Sequence, residues 1–278
     1  MKSLPSIIIL LILSTSLYSA DYKPIILSPS HSHDKWDIQP KDKVKEFRAF
    51  TVLFDGKDDD KLTGQPEWVA YHIKKAPELD KSPKRPSSWI EDEELKDVAP
   101  DDETYKHSGY SRGHLCMKHI AWRLGADADW NTHTTLNACP QLQKFNAGIW
   151  LDMEVKTEKW ADMHGEIWVI CGPAWKKDDA NTKYIGDEGE MKIPVPDYFW
   201  KIVVKINKQE RKLDTMAMLY PHKEIEKKKS GKNKYAHEDY FVTIDELEKV
   251  TGLDFFTSLP DMMEDELENK KASGVWKW

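Results

Sequence analysis

Three short motifs between Ser108 and Glu154 decide the fold of this chain. The segment begins with SGYSRGH at 108–114, continues with NACPQ at 137–141 and ends with FNAGIWLDME at 145–154. From the last motif onward, apolar residues recur at three- and four-residue steps until Gly165, which predicts a helix from Phe145 to His164. The first and last motifs also carry the residue types that hydrolytic chemistry needs.

The first motif supplies a base and a cation at close spacing. Histidine has a pKa near 6.5, so His114 is suited to accept a proton at neutral pH. Arg112 lies two residues earlier, which on a strand is the same face, within reach of a phosphate. Hydrolysis of a phosphodiester requires a base for water and positive charge for the transition state. The pair therefore fits that reaction.

The last motif supplies candidate metal chemistry on the predicted helix. Asn146 and Glu154 are eight residues apart, which on a regular helix separates them by about 80° and lets both face one cleft. A neutral oxygen such as that of Asn146 would leave most coordination of a hard cation to water and substrate, as Mg²⁺ prefers. Taken singly, His114 could be a buried histidine, Asn146 a helix cap and Glu154 surface charge.

The combined motifs resemble the DNA/RNA non-specific endonucleases with the ββα-metal fold, which include secreted bacterial nucleases and endonuclease G. The family pattern of Arg-Gly-His, Asn-x-x-Pro-Gln, Asn-x-Gly-x-Trp and Glu is matched in spacing by Arg112, Gly113, His114, Asn137, Pro140, Gln141, Asn146, Gly148, Trp150 and Glu154. Further segments at 65–71, 172–173, 193–201 and 247–256 are similar to family segments, so the likeness covers most of the chain.

The resemblance implies a role for each residue of the site. His114 would be the general base, and Asn146 the direct protein ligand of Mg²⁺, for which Mn²⁺ would substitute. Glu154 would position metal-bound water, Asn137 would help to hold the site, and Arg112 would support the phosphate. The implied activity is cleavage of DNA and RNA with little sequence specificity, leaving 5′-phosphate ends.

Ser111 is the one departure from the pattern, because the family usually has Asp before the arginine. Serine supplies no charge, so the alternative hypothesis is a catalytically weakened protein that only binds nucleic acid. An enzyme acting on another phosphodiester is a third candidate. A zinc site from Cys116, His119, His133 and Cys139 has suitable residue types, but its spacing matches no recognised zinc motif.

The N-terminus indicates export. Lys2, an apolar run from Ile7 to Leu13 and the small residues Ser19-Ala20 follow the order of a signal peptide cleaved near Ala20. No later segment is apolar enough to span a membrane. The three cysteines, Cys116, Cys139 and Cys171, permit one disulfide in any of three pairings or none, and the sequence does not choose.

The expected organisation is one α+β domain, with a central antiparallel sheet flanked by helices. It assigns residues 1–20 to the signal peptide, 21–44 to a polar extended arm, 45–259 to the nuclease domain and 260–278 to an acidic, loosely held tail. The oligomeric state stays open, a homodimer included. Acidic runs such as 58–60 and 91–94 lack the alternating spacing and glycine of a calcium loop.

The net charge of −7 opposes nucleic-acid binding, because phosphate contacts depend on Lys and Arg. A basic cleft on an acidic body would resolve the conflict. Lys118, Arg123 and Lys144 flank the motifs, and a lysine-rich segment at 223–234 would add a second basic surface. Binding through such a cleft would weaken markedly with added salt.

Overall fold

The computed structural model describes residues 33–40, 44–54, 64–76, 84–176, 181–210, 212–231, 233–272 and 276. The predicted signal peptide, the first part of the polar arm and the acidic run at 58–60 lie outside these residues. None of the helices in the described ranges combines the length and apolarity needed to cross a bilayer.

A seven-stranded antiparallel sheet forms the centre, with the strand order β12-β11-β10-β7-β4-β3-β2. Three two-stranded pairs, β1–β13, β5–β6 and β8–β9, lie outside it. The strands are β1 (Ile38–Gln39), β2 (Val44–Glu46), β3 (Thr51–Leu53), β4 (Trp68–Lys74), β5 (Ser111–His114), β6 (Ala138–Gln141), β7 (Glu166–Ala174), β8 (Tyr184–Ile185), β9 (Ile193–Pro194), β10 (Tyr198–Asn207), β11 (Lys212–Pro221), β12 (Phe241–Val242) and β13 (Asp254–Phe255).

The helices are short except for one that crosses the sheet. They are α1 (Lys118–Trp122), α2 (Ala126–Asn131), α3 (Gln143–Phe145), α4 (Leu151–His164), α5 (Ile244–Thr251) and α6 (Asp261–Glu268), with a π-helical turn at Asn146–Trp150 joining α3 to α4. The predicted helix 145–164 is therefore present, but with a distortion at its start. Gly165 ends it at φ 93°, a backbone conformation that glycine adopts without strain.

Alternate residues of the central strands pack into two separate hydrophobic cores, one on each face of the sheet, because successive side chains of a β-strand point to opposite faces. On β4, Val69, Tyr71 and Ile73 join one core, whereas Trp68 and Ala70 join the other. The first core contains α4, and we call it the α4 layer; the second contains α5, and we call it the α5 layer. With helices on both faces of an antiparallel sheet, the predicted α+β class is confirmed.

Both ends of the expected domain extend further than the composition indicates. Trp36 and Ile38 are buried in the α5 layer, and Ile38 of β1 pairs with Phe255 of β13. The last part of the predicted arm thus contains a two-residue strand whose partner lies more than 200 residues later, at Asp254–Phe255. In the segment predicted as a tail, the first residues form α6, and Trp276 packs on Trp160 with ring centroids 5.0 Å apart.

The cysteines form no disulfide. Cys116, Cys139 and Cys171 are all buried as free thiols. Sulfur–oxygen contacts tie two of them to the backbone, with Cys171 Sγ 3.5 Å from the Leu115 carbonyl oxygen. They therefore pack as small apolar residues behind the first motif.

Candidate active site

Strands β5 and β6 form an antiparallel pair, which we call the hairpin although α1 and α2 lie between its strands in the chain. His114 lies at the end of β5. Ser111 pairs with Gln141 and His114 with Ala138, so the first two motifs become adjacent strands. A Cβ on Gly113 would lie 2.2 Å from Gln141 Cδ. Glycine at this position therefore allows the close approach of a neighbouring side chain.

His114 lies in an aromatic surround. Its ring centroid is 4.6 Å from that of Trp89 and 5.3 Å from that of His133, and its Nε2 is buried without a hydrogen-bond partner among the described residues. Burial lowers the pKa of His114 well below 6.5, and His133, Arg85 and Lys118 lower it further. The imidazole is thus neutral at pH 7, the form that can accept a proton.

Asn137 is a structural clamp on the chain that follows His114. It is fully buried; its Oδ1 accepts the Cys116 N–H at 2.8 Å, and its Nδ2 donates to the carbonyls of Cys116 at 2.9 Å and Thr132 at 3.0 Å. All the polar atoms of this side chain engage backbone, which leaves it none to offer a ligand. Its position fixes the exit of β5.

Asn146 opens the π-helical turn. A π turn contains more residues than an α turn, and Gly148 within it has φ −104° and ψ −116°. The angle of about 80° expected between Asn146 and Glu154 on a regular helix therefore does not apply. The Asn146 side chain is half-buried and has no hydrogen bond to another described residue, so its amide oxygen is available to a ligand.

Glu154 is buried, with its side chain turned against the sheet. The residue is 4% exposed, and its Oε1 has no hydrogen-bond partner in the described part of the chain. Burial raises the pKa of Glu154 to about 7, although Lys201 and the Trp150 indole lower it. An unsatisfied carboxylate oxygen in this position is a strong acceptor for a cation or a water molecule.

Lys201 and Trp150 connect these groups. Lys201 lies on β10, fully buried, with its Nζ 3.2 Å from the Tyr71 hydroxyl and 4.1 Å from the Trp150 ring centroid. Trp150 Nε1 in turn donates to the carbonyl of His114 at 3.1 Å. One indole therefore contacts the backbone of the histidine and the ammonium that stabilises the Glu154 carboxylate.

Arg112 is held by residues 102–105. Its Nε lies 2.6 Å from Asp102 Oδ1, and its guanidinium stacks near the Tyr105 ring. Ser111 Oγ donates to Gln143 at the start of α3. The carboxylate beside the arginine thus comes from Asp102 and not from position 111.

Three residues near the site were not predicted from sequence. Arg85 and His133 act on the pKa of His114, and Lys201 acts on that of Glu154. Arg85 lies in a Pro-rich segment without periodicity, and nothing local relates it to His114. Lys201 did offer a signal, because it interrupts the apolar run of a central strand.

The expected basic flank is largely neutralised. Lys118 pairs with Asp129 at 3.1 Å, Arg123 with Glu158 and Asp162, and Lys144 with Glu224 at 2.7 Å. These three residues therefore do not form the basic cleft. Arg85, by contrast, is exposed, and its positive charge lowers the pKa of His114.

The donor atoms fit a hard cation. The available oxygens are the amide oxygen of Asn146 and the unpartnered Oε1 of Glu154, which offer few protein ligands and one carboxylate. Such a set suits a cation that keeps most of its water, as Mg²⁺ does. In the described residues, the groups of three or more close His, Cys, Asp or Glu ligands include neither Cys116 nor His119, which gives the zinc alternative no support.

Comparison with known proteins agrees with this architecture. The family model for DNA/RNA non-specific endonucleases matches residues 31–262. The nuclease of Serratia marcescens is 28% identical over 73% of this chain and 73% of its own length. The mitochondrial nuclease of Saccharomyces cerevisiae is 27% identical over 71% of this chain, and mitochondrial nuclease EXOG of Xenopus laevis is 25% identical over 70%.

The matched region spans 62% of the yeast protein and 54% of the frog protein. Among solved structures, that of the EndoG/EndoGI complex matches with a TM-score of 0.70 and 22% identity, covering 87% of this chain and 96% of the other. This structural likeness supports the ββα-metal fold of the hairpin β5–β6 and the helix that follows. Because the family model matches most of this chain, the chain belongs to the DNA/RNA non-specific endonuclease family.

Proposed function

We propose that this protein hydrolyses phosphodiester bonds of DNA and RNA with little sequence specificity, and that His114 is its general base. The observation that carries the proposal is the neutral imidazole of His114, whose buried Nε2 has no partner among the described residues. A base that is held neutral and unsatisfied is suited to activating water, and the Asn146 amide and the Glu154 carboxylate are the candidate groups for holding a cation.

In the proposed reaction, His114 Nε2 takes a proton from a water molecule while the oxygen of that water bonds to phosphorus. The bond from phosphorus to the 3′ oxygen breaks, the 3′ oxygen takes a proton from solvent, and the phosphate stays on the 5′ oxygen of the other product. Asn146 would bind Mg²⁺ or Mn²⁺, and Glu154 would orient water beside it. The cation would supply positive charge to the pentavalent phosphorus and the leaving oxygen.

The remaining residues of the site position these groups. Asn137 fixes the chain after His114 through its three backbone hydrogen bonds. Arg112, held by Asp102, would support the substrate phosphate from the neighbouring face. The position of Asp102 also weakens the case for a disabled protein, because a carboxylate lies beside the arginine despite Ser111.

The decisive experiment compares His114→Ala and Asn146→Ala with His119→Ala on supercoiled plasmid and RNA, with Mg²⁺ and with chelator. We expect the first two variants to lose activity by about 10³-fold, since a positioned base alone contributes about 10²–10⁴-fold. His119 is exposed, pairs with Glu158 and provides the matched control on an adjacent element. Unchanged activity in His114→Ala contradicts the proposal, and DNA retention without cleavage by the parent protein favours the binding alternative.

We also propose that the protein is exported after removal of residues 1–20. The support is the order of the charged, apolar and small residues at its N-terminus. N-terminal sequencing of the protein from a secreting host should show a start near Asp21. A mature protein that retains Met1 contradicts the export proposal and leaves the nuclease proposal intact.

A further inference from the structure

Five acidic side chains meet at the corner where α5, β13 and α6 join. One carboxylate oxygen each from Asp245, Glu248 and Glu268 lie within 4.8 Å of one another, and the same is true of Asp254, Glu264 and Glu268. Glu268 belongs to both groups. The corner contacts the α5 layer, whereas the candidate active site belongs to the α4 layer.

Glu268 is the buried centre of this cluster. It is 7% exposed, and its Oε1 is a buried atom without a hydrogen-bond partner among the described residues. Its neighbour Glu266 on the same helix shows the ordinary arrangement, because it is exposed and forms an ion pair with Lys270. No ion pair with Lys or Arg involves the five clustered acids within the described ranges.

Every influence on the pKa of Glu268 disfavours its charged form. The pKa of Glu268 is raised to about 8 by burial and by Glu248, Glu264, Asp245 and Asp254. Burying a carboxylate without a countercharge is costly, and native proteins normally pair such groups or bind metal with them. The corner thus lacks a positive charge that its geometry could accommodate.

We propose that Asp245, Glu248 and Glu268 bind a calcium ion that joins α6 to α5, with Asp254 and Glu264 adding negative charge beside it. Calcium takes six to eight oxygen ligands, and carboxylates serve it in monodentate or bidentate form. Magnesium demands near-octahedral geometry and retains water, which a cluster this rich in carboxylates does not suit. Glu248 keeps one oxygen for this purpose while the other accepts the Phe255 N–H at 2.9 Å.

The site is independent of the proposed nuclease activity. It would fix the C-terminal helix onto the body, and its effect would appear in the melting temperature. A binding site for calcium here also accounts for an acidic helix at the end of a domain, where repulsion among like charges would otherwise favour detachment.

The test measures the melting temperature at pH 8 in chelator, in 1 mM Ca²⁺ and in 1 mM Mg²⁺. All proteins carry Asn146→Ala, so that metal at the candidate active site does not contribute. The compared variants are the parent, Glu268→Gln and the matched control Glu266→Gln. Calcium should raise the melting temperature of the parent and of Glu266→Gln by about 5 °C or more, as expected for saturating ligand.

The melting temperature of Glu268→Gln should respond differently from that of the other two proteins. In chelator it should melt above the parent because one repelling charge is gone, and calcium should then shift it little. The proposal is overturned by the absence of a calcium shift in the parent, by an equal shift with Mg²⁺, or by a full calcium shift in Glu268→Gln. Direct calorimetric titration of the parent with CaCl₂ should give one site, which Glu268→Gln lacks.

Discussion

The two faces of the central sheet are packed in different ways. The α5 layer is an apolar core of Trp68, Ile170, Trp200, Ile202 and their neighbours, with its acidic groups at one corner. The α4 layer buries Lys201, Glu154 and Asn137 among its aromatic side chains. One sheet thus supports a layer that contributes stability and a layer in which polar groups stay partly unsatisfied for chemistry.

Among the substitutions that test this difference between the layers, Gly113→Ala beside the α4 layer should change stability and activity most. Its Cβ would overlap the Gln141 side chain at 2.2 Å, so this buried side chain or the strand that carries it must move next to His114. We expect a loss of about 1–3 kcal/mol in unfolding free energy, typical of overpacking. Activity should fall by about 10²-fold, because a displacement of about 1 Å is enough for that. Urea unfolding and a plasmid-cleavage assay measure the two effects.

The matched control removes the obstructing side chain. In Gly113→Ala combined with Gln141→Ala, the overlap is gone, and activity should recover at least in part. If Gly113→Ala alone retains parental activity and stability, the close packing of the hairpin does not position His114.

A smaller effect concerns the pH dependence of stability through His222. Its Nε2 accepts the Leu142 N–H at 2.8 Å, just before α3, and its Nδ1 contacts the Pro196 carbonyl at 2.7 Å. Burial lowers the pKa of His222 to about 4. Between pH 6.5 and 4 the unfolded chain binds a proton that the folded protein does not, so stability falls as the pH falls.

His222→Gln removes this titration. Its unfolding free energy should therefore depend less on pH between 6.5 and 4, by at most about 1.4 kcal/mol per pH unit. His72 and His133, whose pKa values are also lowered to about 4, are present in both proteins and cancel in the comparison. Parallel curves for the two proteins would show that His222 does not contribute.

The smallest effect is expected in the α5 layer. Thr243 begins α5 with a capping box, in which its Oγ1 accepts the Glu246 N–H at 3.1 Å and Glu246 accepts the Thr243 N–H at 2.7 Å. Thr243→Ala should cost about 1 kcal/mol of stability and leave plasmid cleavage unchanged. Thr243→Ser, which keeps the acceptor, is the control. Reduced cleavage by a folded Thr243→Ala protein would show that the two layers are coupled.

Local features of the fold were predictable because they depend on local pattern. The helix up to His164 follows from apolar periodicity, and the capping box of α5 follows from Thr243 and Glu246 at the right spacing. The fold class follows from the motifs that resemble the family. These features need no knowledge of distant parts of the chain.

The errors concern contacts between distant segments. Burial of Trp36 depends on Trp168, with ring centroids 5.6 Å apart, and no local pattern relates the two residues. Arg85 acts on His114 in the same non-local way. The π-helical turn was also not predicted, because apolar periodicity does not reveal it; Tyr235, which follows the lysine-rich segment, lies close to Gly148 in this turn.

The buried ammonium of Lys201 has a consequence for protein engineering. The hairpin, the π-helical turn and α4 form a continuous stretch of chain, which makes them attractive to transplant into another scaffold. Yet the countercharge of Glu154 comes from β10, well outside that stretch. A graft without a lysine beneath the helix would leave the carboxylate protonated at neutral pH. The smallest portable unit of this site is therefore the ββα segment together with one strand of the sheet that supports it.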